Sequence, residues 1–168
     1  MTQSVTDLDG SPSDSDIVDT NQLVEITSEF LDSMLGIEVT SVNDDCETPD
    51  FDSSAWRATI QIEGSTNAEV ETICCGDFAS RIASSMFSME ASELTDEELA
   101  DSMGEVVNII GGNVKGMIGQ DYSLHLPRVD SFSEADRGSA NGRLVFECDG
   151  GYLTVSVARV QSLEGMTS

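Results

Sequence analysis

The stretch that decides the fold reads DSMGEVVNIIGGNVK and covers residues 101–115. On a helical wheel at about 100° per residue, Asp101, Glu105 and Asn108 fall within about 60° of one another. The apolar residues around them share the opposite side of the wheel; they are Leu99, Met103, Val106, Ile110, Val114 and Met117. The stretch therefore predicts a long helix that buries one face and presents Asp101, Glu105 and Asn108 as an exposed row.

The start and the middle of this helix carry further signals. Thr95 followed by Glu98 predicts a capping box at its start, and helical spacing continues to about Ile118. Gly111 and Gly112 lie in its middle, where each glycine costs about 1 kcal/mol relative to alanine. We interpret this glycine pair as a place where another helix of the domain, or a docked protein, approaches the helix backbone closely.

The rest of the chain mixes helical and strand periodicity. Helical spacing marks residues 20–35 and 78–89, and the predicted strands are 37–42, 55–63, 68–75, 124–129, 142–147 and 152–160. This order predicts an α/β (α+β) sandwich, in which helices that include the long one cover a largely antiparallel sheet. We predict one domain over residues 20–160, a disordered acidic tail over residues 1–19 and a short tail over residues 161–168.

The charge balance excludes two classes of partner. The chain of 168 residues has 32 acidic and 7 basic side chains, for a net charge of −25. A nucleic-acid binder needs a basic footprint, and an anionic membrane surface would repel this chain. With no long apolar run and no secretory signal at residues 1–19, we expect a cytoplasmic protein. Two explanations of the charge stay open: solubility in an ordinary cytoplasm, or life in a salt-rich one.

Cysteine and histidine offer no set of metal ligands in the sequence. The cysteines are Cys46, Cys74, Cys75 and Cys148, without C-x-x-C spacing, and His125 is the only histidine. We interpret the cysteines as small buried hydrophobic residues in a reducing compartment rather than as a redox site, and His125 as a strand or loop residue. We therefore predict no metal site on the chain and disfavour a metallohydrolase.

The row Asp101-x3-Glu105-x2-Asn108, followed by Gly-Gly-Asn-Val-Lys, resembles the signature of the CheC/CheX/FliY phosphatases of bacterial chemotaxis. In that family the signature stands on a long exposed helix. Two further stretches are similar to CheX: EFLDSMLGIEV at residues 29–39 resembles its opening helix, and HLPRV at residues 125–129 resembles the strand after the motif helix. Because the opening helix lacks a second copy of the motif, the resemblance implies one site per chain and a CheX-like sandwich.

The resemblance implies a phosphatase that acts on the phosphoaspartate of a CheY-like response regulator. Asn108 would orient the attacking water, a task that suits a carboxamide because it donates and accepts hydrogen bonds without adding charge. Glu105 would pair with the active-site lysine of the receiver domain. Asp101 would help docking, and Gly112 would let the partner approach. Lys115, the only lysine, is a candidate for contact with the acidic receiver surface, although an i−4 contact with the turn of Gly111 or plain solvation is favoured over it.

The same resemblance implies that the phosphorylated receiver supplies Mg²⁺, so that this chain holds no cofactor of its own. It also implies a homodimer formed by pairing sheet edges. Two alternatives stay open. One is a CheX-like module that docks or dimerises without turnover, and the other is a structural dimer with no receiver partner.

Overall fold

The computed structural model describes residues 17–43, 49–119, 121–133, 143–148 and 151–160. These residues form three α-helices, α1 (Thr20–Leu35), α2 (Gly76–Phe87) and α3 (Asp96–Ile118), and a 3-10 turn at Ala91–Glu93. The strands are β1 (Val39–Asn43), β2 (Trp56–Glu63), β3 (Asn67–Cys74), β4 (Ser123–Leu124), β5 (Arg128–Ser131), β6 (Leu144–Cys148) and β7 (Gly151–Val160). No helix in these ranges is both long and apolar enough to cross a membrane.

One antiparallel sheet forms the framework. Its strand order is β1-β6-β7-β3-β2-β4, and β5 also pairs with β2. Each of these pairs is antiparallel. The three helices contact one another and the sheet, so they share one of its faces. The predicted α/β (α+β) sandwich with a largely antiparallel sheet is confirmed.

Hydrophobic alternation along the central strands builds the core beneath the helices. On β2, Ala58, Ile60 and Ile62 are buried. Since successive residues of a strand point to opposite faces, Arg57 and Gln61 fall on the face that carries no helix. The alternation along this strand therefore decides which side of the sheet receives α3.

Helix α1 has the bounds predicted for the first helix. The Asp19 carboxylate accepts a hydrogen bond from the Asn21 N–H over 2.8 Å, and Gly36 ends the helix in the left-handed conformation at φ 66°. Ile17 and Val18, which belong to the predicted tail, are half-buried against the core. Apart from these two residues and Asp19, both predicted tails lie outside the described residues.

Several predicted element boundaries move. Strand β1 begins at Val39 rather than Ile37, because Ile37 is buried and its N–H donates to the Leu31 carbonyl at the end of α1 over 2.9 Å. Helix α2 begins and ends two residues before the predicted range 78–89, and Ser88 terminates it with a φ of 53°. The strands predicted at 55–63 and 68–75 pair as the antiparallel hairpin β2–β3, and those predicted at 142–147 and 152–160 pair as β6–β7.

The single strand predicted after the long helix is wrong: β4 and β5 pair with β2 in its place. Leu124 pairs with Ile62, and Arg128 pairs with Thr59. Three residues separate the paired positions on this side and two separate them on β2, so the edge of the sheet carries a bulge. Pro127 lies in the bulge and lacks the N–H that a continuous ladder requires.

Helix α3 has the predicted start and end. The Thr95 N–H donates to Glu98 Oε2 over 2.7 Å, and Thr95 Oγ1 accepts from the Glu98 N–H over 3.3 Å, as in a capping box. Its buried residues form a broader face than the wheel predicts; they are Ser102, Met103, Gly104, Val106, Val107, Ile110, Gly111 and Val114. Leu99 and Met117 are half-buried instead. The face is broad because β2, α2 and β5 all contact the helix.

The glycine pair of α3 divides between two environments. A Cβ atom at Gly111 would lie 2.6 Å from Ile60 Cγ2, so strand β2 is what approaches the backbone at this point. This finding corrects the interpretation that Gly111 admits another helix or a docked protein. Gly112 is exposed, and no described atom lies within 4 Å of a Cβ placed there.

Buried thiols form part of the core. Cys74 and Cys148 are buried, whereas Cys75 is half-buried and its Sγ accepts from the Tyr152 N–H over 3.4 Å. Burial raises the pKa of the Cys74 thiol well above its usual range and that of Cys148 to about 11. Both thiols are therefore protonated at neutral pH and pack as small hydrophobic groups. Cys46 lies outside the described residues.

We predict opposite effects for alanine at the two neighbouring glycines. Gly112→Ala should raise the free energy of unfolding by up to about 1 kcal/mol, because alanine is the better helix former and its methyl group meets nothing. Gly111→Ala should lower it by about 1 kcal/mol or more, because Ile60 must move away. Urea denaturation followed by circular dichroism measures both. Equal stability of the two variants would show that β2 does not constrain the helix at Gly111.

Candidate functional site

The exposed side of α3 holds the row predicted from the sequence. Asp101 and Glu105 are exposed and Asn108 is half-exposed. Glu105 and Asn108 are neighbours on the helix surface, since they lie three residues apart. None of the three side chains has a hydrogen bond or ion pair with another described residue. They are therefore available to another molecule.

Two open grooves run along this row. The first, here called the proline-side groove, has a volume of about 460 Å³; its lining residues are Ala100, Asp101, Gly104, Glu105, Asn108, Leu126, Pro127 and Val129. The second, the methionine-side groove, has a volume of about 480 Å³; its lining residues are Phe30, Met34, Leu35, Ser85, Met86, Phe87, Asp101, Glu105 and Ile109. Asp101 and Glu105 belong to both grooves, whereas Asn108 lines only the first.

Gly104 allows the edge of the sheet to close the proline-side groove. A Cβ atom at Gly104 would lie 3.5 Å from Val129 Cγ2 and 3.7 Å from Pro127 Cγ, so both side chains approach the helix backbone. Gly104 immediately precedes Glu105 in the chain. The contact therefore ties the position of Glu105 to the bulged segment beside it.

The methionine-side groove presents apolar surface to solvent. Met34 at the end of α1 is 65% exposed, and Phe87 at the end of α2 is 41% exposed. A hydrogen bond of 2.9 Å from Ser85 Oγ to the Leu35 carbonyl joins these two helix ends. A partner that reaches the row from above thus meets apolar side chains on both sides of it.

The structure divides the predicted site residues into two sets. Asp101, Glu105 and Asn108 lie together at the grooves. Gly112 is exposed one turn beyond Asn108, and Lys115 is half-buried in the last turn of α3, where it lines neither groove. About two helical turns separate Lys115 from Asn108. Of the predicted site residues, Lys115 is therefore the furthest from the row.

Negative charge dominates the start of the helix. Asp96, Glu97 and Glu98 occupy the first turn of α3, where the helix dipole favours acidic groups. Among the described residues, no cluster of three or more His, Cys, Asp or Glu side chains is arranged to hold a metal ion. The charge of this region therefore has a structural explanation in helix stability.

The chemistry available to the row is positioning. The Asn108 carboxamide can accept one hydrogen bond and donate others, so it can hold a water molecule in a fixed orientation. The Glu105 carboxylate, one turn away, can bind a cationic side chain. Both grooves are open to solvent, and neither encloses a small substrate as a ligand pocket does. The arrangement suits a site that the surface of another protein completes.

Sequence reasoning missed the apolar residues that flank the row. Leu126 and Val129 line the proline-side groove only because the edge strand is interrupted. Pro127 was the available signal, since proline within a strand marks an edge or a bulge. Met34 and Phe87 gave no comparable signal, because their exposure depends on how the ends of α1 and α2 meet.

A concavity of about 790 Å³ on the helix-free face of the sheet is a weaker candidate. The charged groups on this face bind one another: Glu71 accepts from Arg57 Nε over 2.7 Å and from Arg143 Nη2 over 2.8 Å. Gln61 Nε2 donates to Glu69 over 3.4 Å. These contacts stabilise the sheet and engage Arg57, Gln61 and Glu69 of the lining, and none of Asp101, Glu105 and Asn108 lines this concavity.

Solved structures of CheX proteins share this fold. CheX from Vibrio vulnificus is 18% identical, with a TM-score of 0.67, over 89% of this chain and 100% of that one. CheX from Desulfovibrio desulfuricans is 17% identical, with a TM-score of 0.62, over 85% and 100%. CheX from Borrelia burgdorferi, crystallised in a complex with CheY, BeF3 and Mg²⁺, is 18% identical, with a TM-score of 0.67, over 86% and 99%. At such low identity the likeness shows the fold alone.

The sequence itself shows the family. None of the curated protein sequences matches this chain significantly. The model of the family described as chemotaxis phosphatase CheX matches residues 57–148. This match covers more than half of the chain, from β2 to the end of β6, and it includes the row on α3. The chain therefore belongs to the CheX family of chemotaxis phosphatases.

Proposed function

We propose that the chain removes the phosphoryl group from the phosphoaspartate of a CheY-like response regulator. The observation that supports this most is the placement of Glu105 and Asn108. Both side chains reach solvent, one turn apart, on the long helix of a CheX-family protein. Neither has a hydrogen bond or ion pair with another described residue. CheX from Borrelia burgdorferi forms a complex with CheY, which supports a partner of the same kind here.

In the proposed reaction, water attacks the phosphorus atom of the phosphoaspartate. The bond from phosphorus to the aspartyl oxygen breaks, and inorganic phosphate and a free carboxylate result. The receiver supplies Mg²⁺ and a lysine, so this chain contributes position rather than a cofactor. Asn108 holds the water in line with the breaking bond, as the glutamine of Ras does for GTP hydrolysis. A carboxylate at this position would add negative charge beside the phosphoryl oxygens.

Glu105 anchors the helix across the receiver pocket. It stands on the wall between the two grooves, one turn before Asn108. An ion pair with the receiver lysine at this point would fix the distance from Asn108 to the phosphorus. Asp101 extends the same wall by one more turn and takes part in docking. At the far end of the row, Gly112 has no side chain and lets the receiver approach the helix. Lys115, one turn further along the helix, contacts the acidic receiver surface.

We predict that Asn108→Ala slows dephosphorylation about a hundredfold, toward the receiver's own rate, because no group then orients the water. Release of phosphate from a receiver phosphorylated with acetyl phosphate measures this rate. Asn113→Ala is the matched control: Asn113 is exposed on the same helix, about 140° around the axis from Asn108.

The control should keep the wild-type rate, and both variants should be at least as stable as the wild type, because both positions are solvent-accessible and alanine is the better helix former. Full activity of Asn108→Ala would refute the water-positioning role. A wild-type chain that binds the receiver without accelerating phosphate loss would favour the docking module instead.

We predict that Glu105→Ala weakens binding to the activated receiver by about tenfold or more and also slows turnover, because the receiver lysine is left unpaired. Isothermal titration calorimetry measures the dissociation constant. Glu25→Ala removes the same charge from an exposed site on α1 and should leave affinity unchanged. An unaltered dissociation constant for Glu105→Ala would remove its anchoring role.

We also propose that the protein acts in the cytoplasm, where a CheY-like receiver would be found, as a homodimer that pairs sheet edges. Strand β1 ends the sheet, with β6 as its one neighbour in the described structure, so its outer backbone groups are available for pairing. Light scattering should give twice the chain mass of 17.9 kDa. A monomer mass at every concentration would contradict the homodimer.

A further inference from the structure

We propose that Leu126 is a docking residue that determines how tightly, and to which receivers, this protein binds. The inference rests on the proposed function, because the partner is the receiver whose phosphoaspartate Asn108 serves. In the complex, Leu126 packs against an apolar patch at the rim of the receiver's phosphorylation pocket. Three features of the structure carry it: the bulge, the support of the bulge, and the exposure of the side chain.

The bulge re-aims Leu126 out of the sheet. It falls among the three residues between the pairs Leu124–Ile62 and Arg128–Thr59, opposite only two residues of β2. In a regular antiparallel ladder, the side chain of at least one of the three residues between Leu124 and Arg128 would point toward the core. Bulges at sheet edges often serve to redirect a side chain near a functional site.

The residues on either side of Leu126 hold it in place. The His125 N–H donates to the Gln61 carbonyl over 2.9 Å, and His125 Nε2 lies 2.9 Å from Glu63 Oε2. On the other side, Pro127 packs close to the backbone of Gly104 on α3. The tip of the bulge is therefore attached to β2 and to the site helix at once, which limits the entropy that Leu126 loses on binding.

Leu126 is 88% exposed, more than any other large apolar side chain that the structure describes; the others are Met34 at 65%, Phe87 at 41% and Tyr152 at 39%. A single exposed leucine is common on proteins. This one lines the same groove as Asn108. Leu126 stands at the rim between this groove and the concavity on the helix-free face. A receiver that accepts Asn108 at its phosphoryl group would reach this rim, and burial of leucine favours an apolar receiver surface.

The choice of receiver follows from the same contact. A receiver with an apolar residue at the rim gains affinity by covering Leu126. If the receiver has a charged residue there, contact with Leu126 would desolvate that charge without providing a partner for it, which disfavours binding. Glu105 contributes less to such a choice, since the lysine that it would bind belongs to the receiver's active site.

The test measures binding separately from turnover. CheY-like receiver domains of the host, activated with beryllofluoride and Mg²⁺, are titrated with the wild type, Leu126→Ala, Leu126→Asp and Leu126→Met. Leu126→Ala should bind about tenfold to thirtyfold more weakly, Leu126→Asp more weakly still, and Leu126→Met nearly as well as the wild type. Tyr152→Ala, an exposed apolar site outside both grooves, should bind normally.

Turnover provides the second readout. For Leu126→Ala the KM for the phosphorylated receiver should rise about tenfold while kcat stays within about twofold. Wild-type affinity of both Leu126→Ala and Leu126→Asp would overturn the inference and leave the proposed function standing. Full activity of Asn108→Ala would overturn the proposed mechanism while the binding result for Leu126 stands. A wild-type chain that binds no activated receiver would overturn both.

Discussion

The site depends on how closely α3 lies against the sheet. A side chain at Gly111 would overlap Ile60 of β2, so the helix meets the strand with bare backbone. This contact sets the rotation of the helix about its own axis. A different rotation would turn Glu105 or Asn108 toward the apolar core, where an unpaired carboxylate or amide is costly. Because Gly111 packs against β2 on the neighbouring side of the helix, Glu105 and Asn108 are turned toward solvent.

A second glycine extends this contact. Gly104 and Gly111 are seven residues apart, about two helical turns, and therefore share one side of α3. Gly104 faces Pro127 and Val129, while Gly111 faces Ile60. Together they bring the helix against the bulged edge of the sheet over the stretch that contains Asn108. The same pair thus places the polar row and the apolar bulge side by side.

The helix and its exposed row could be predicted because a period of 3.6 residues separates the faces of α3 without knowledge of its neighbours. The capping box at Thr95 and Glu98 is equally local. Pro127 indicates an edge or a bulge in strand 124–129, but the strand has a plausible alternation, and only its register against Ile62 and Thr59 locates the extra residue. For the same reason the sequence could not show whether a strand or a partner faces Gly111.

The charge of the chain explains why apolar contacts beside the row are needed. With a net charge of −25, the protein would not attract the acidic pocket of the proposed receiver, and long-range electrostatics would slow their encounter unless salt screened it. In the proposed complex, Glu105 would recover only one ion pair on contact. The remaining affinity must come from surface that is removed from water, and Leu126, Met34 and Phe87 are the exposed apolar side chains along the row. A strongly acidic chain can therefore serve an acidic partner, provided that attraction begins only once the surfaces touch.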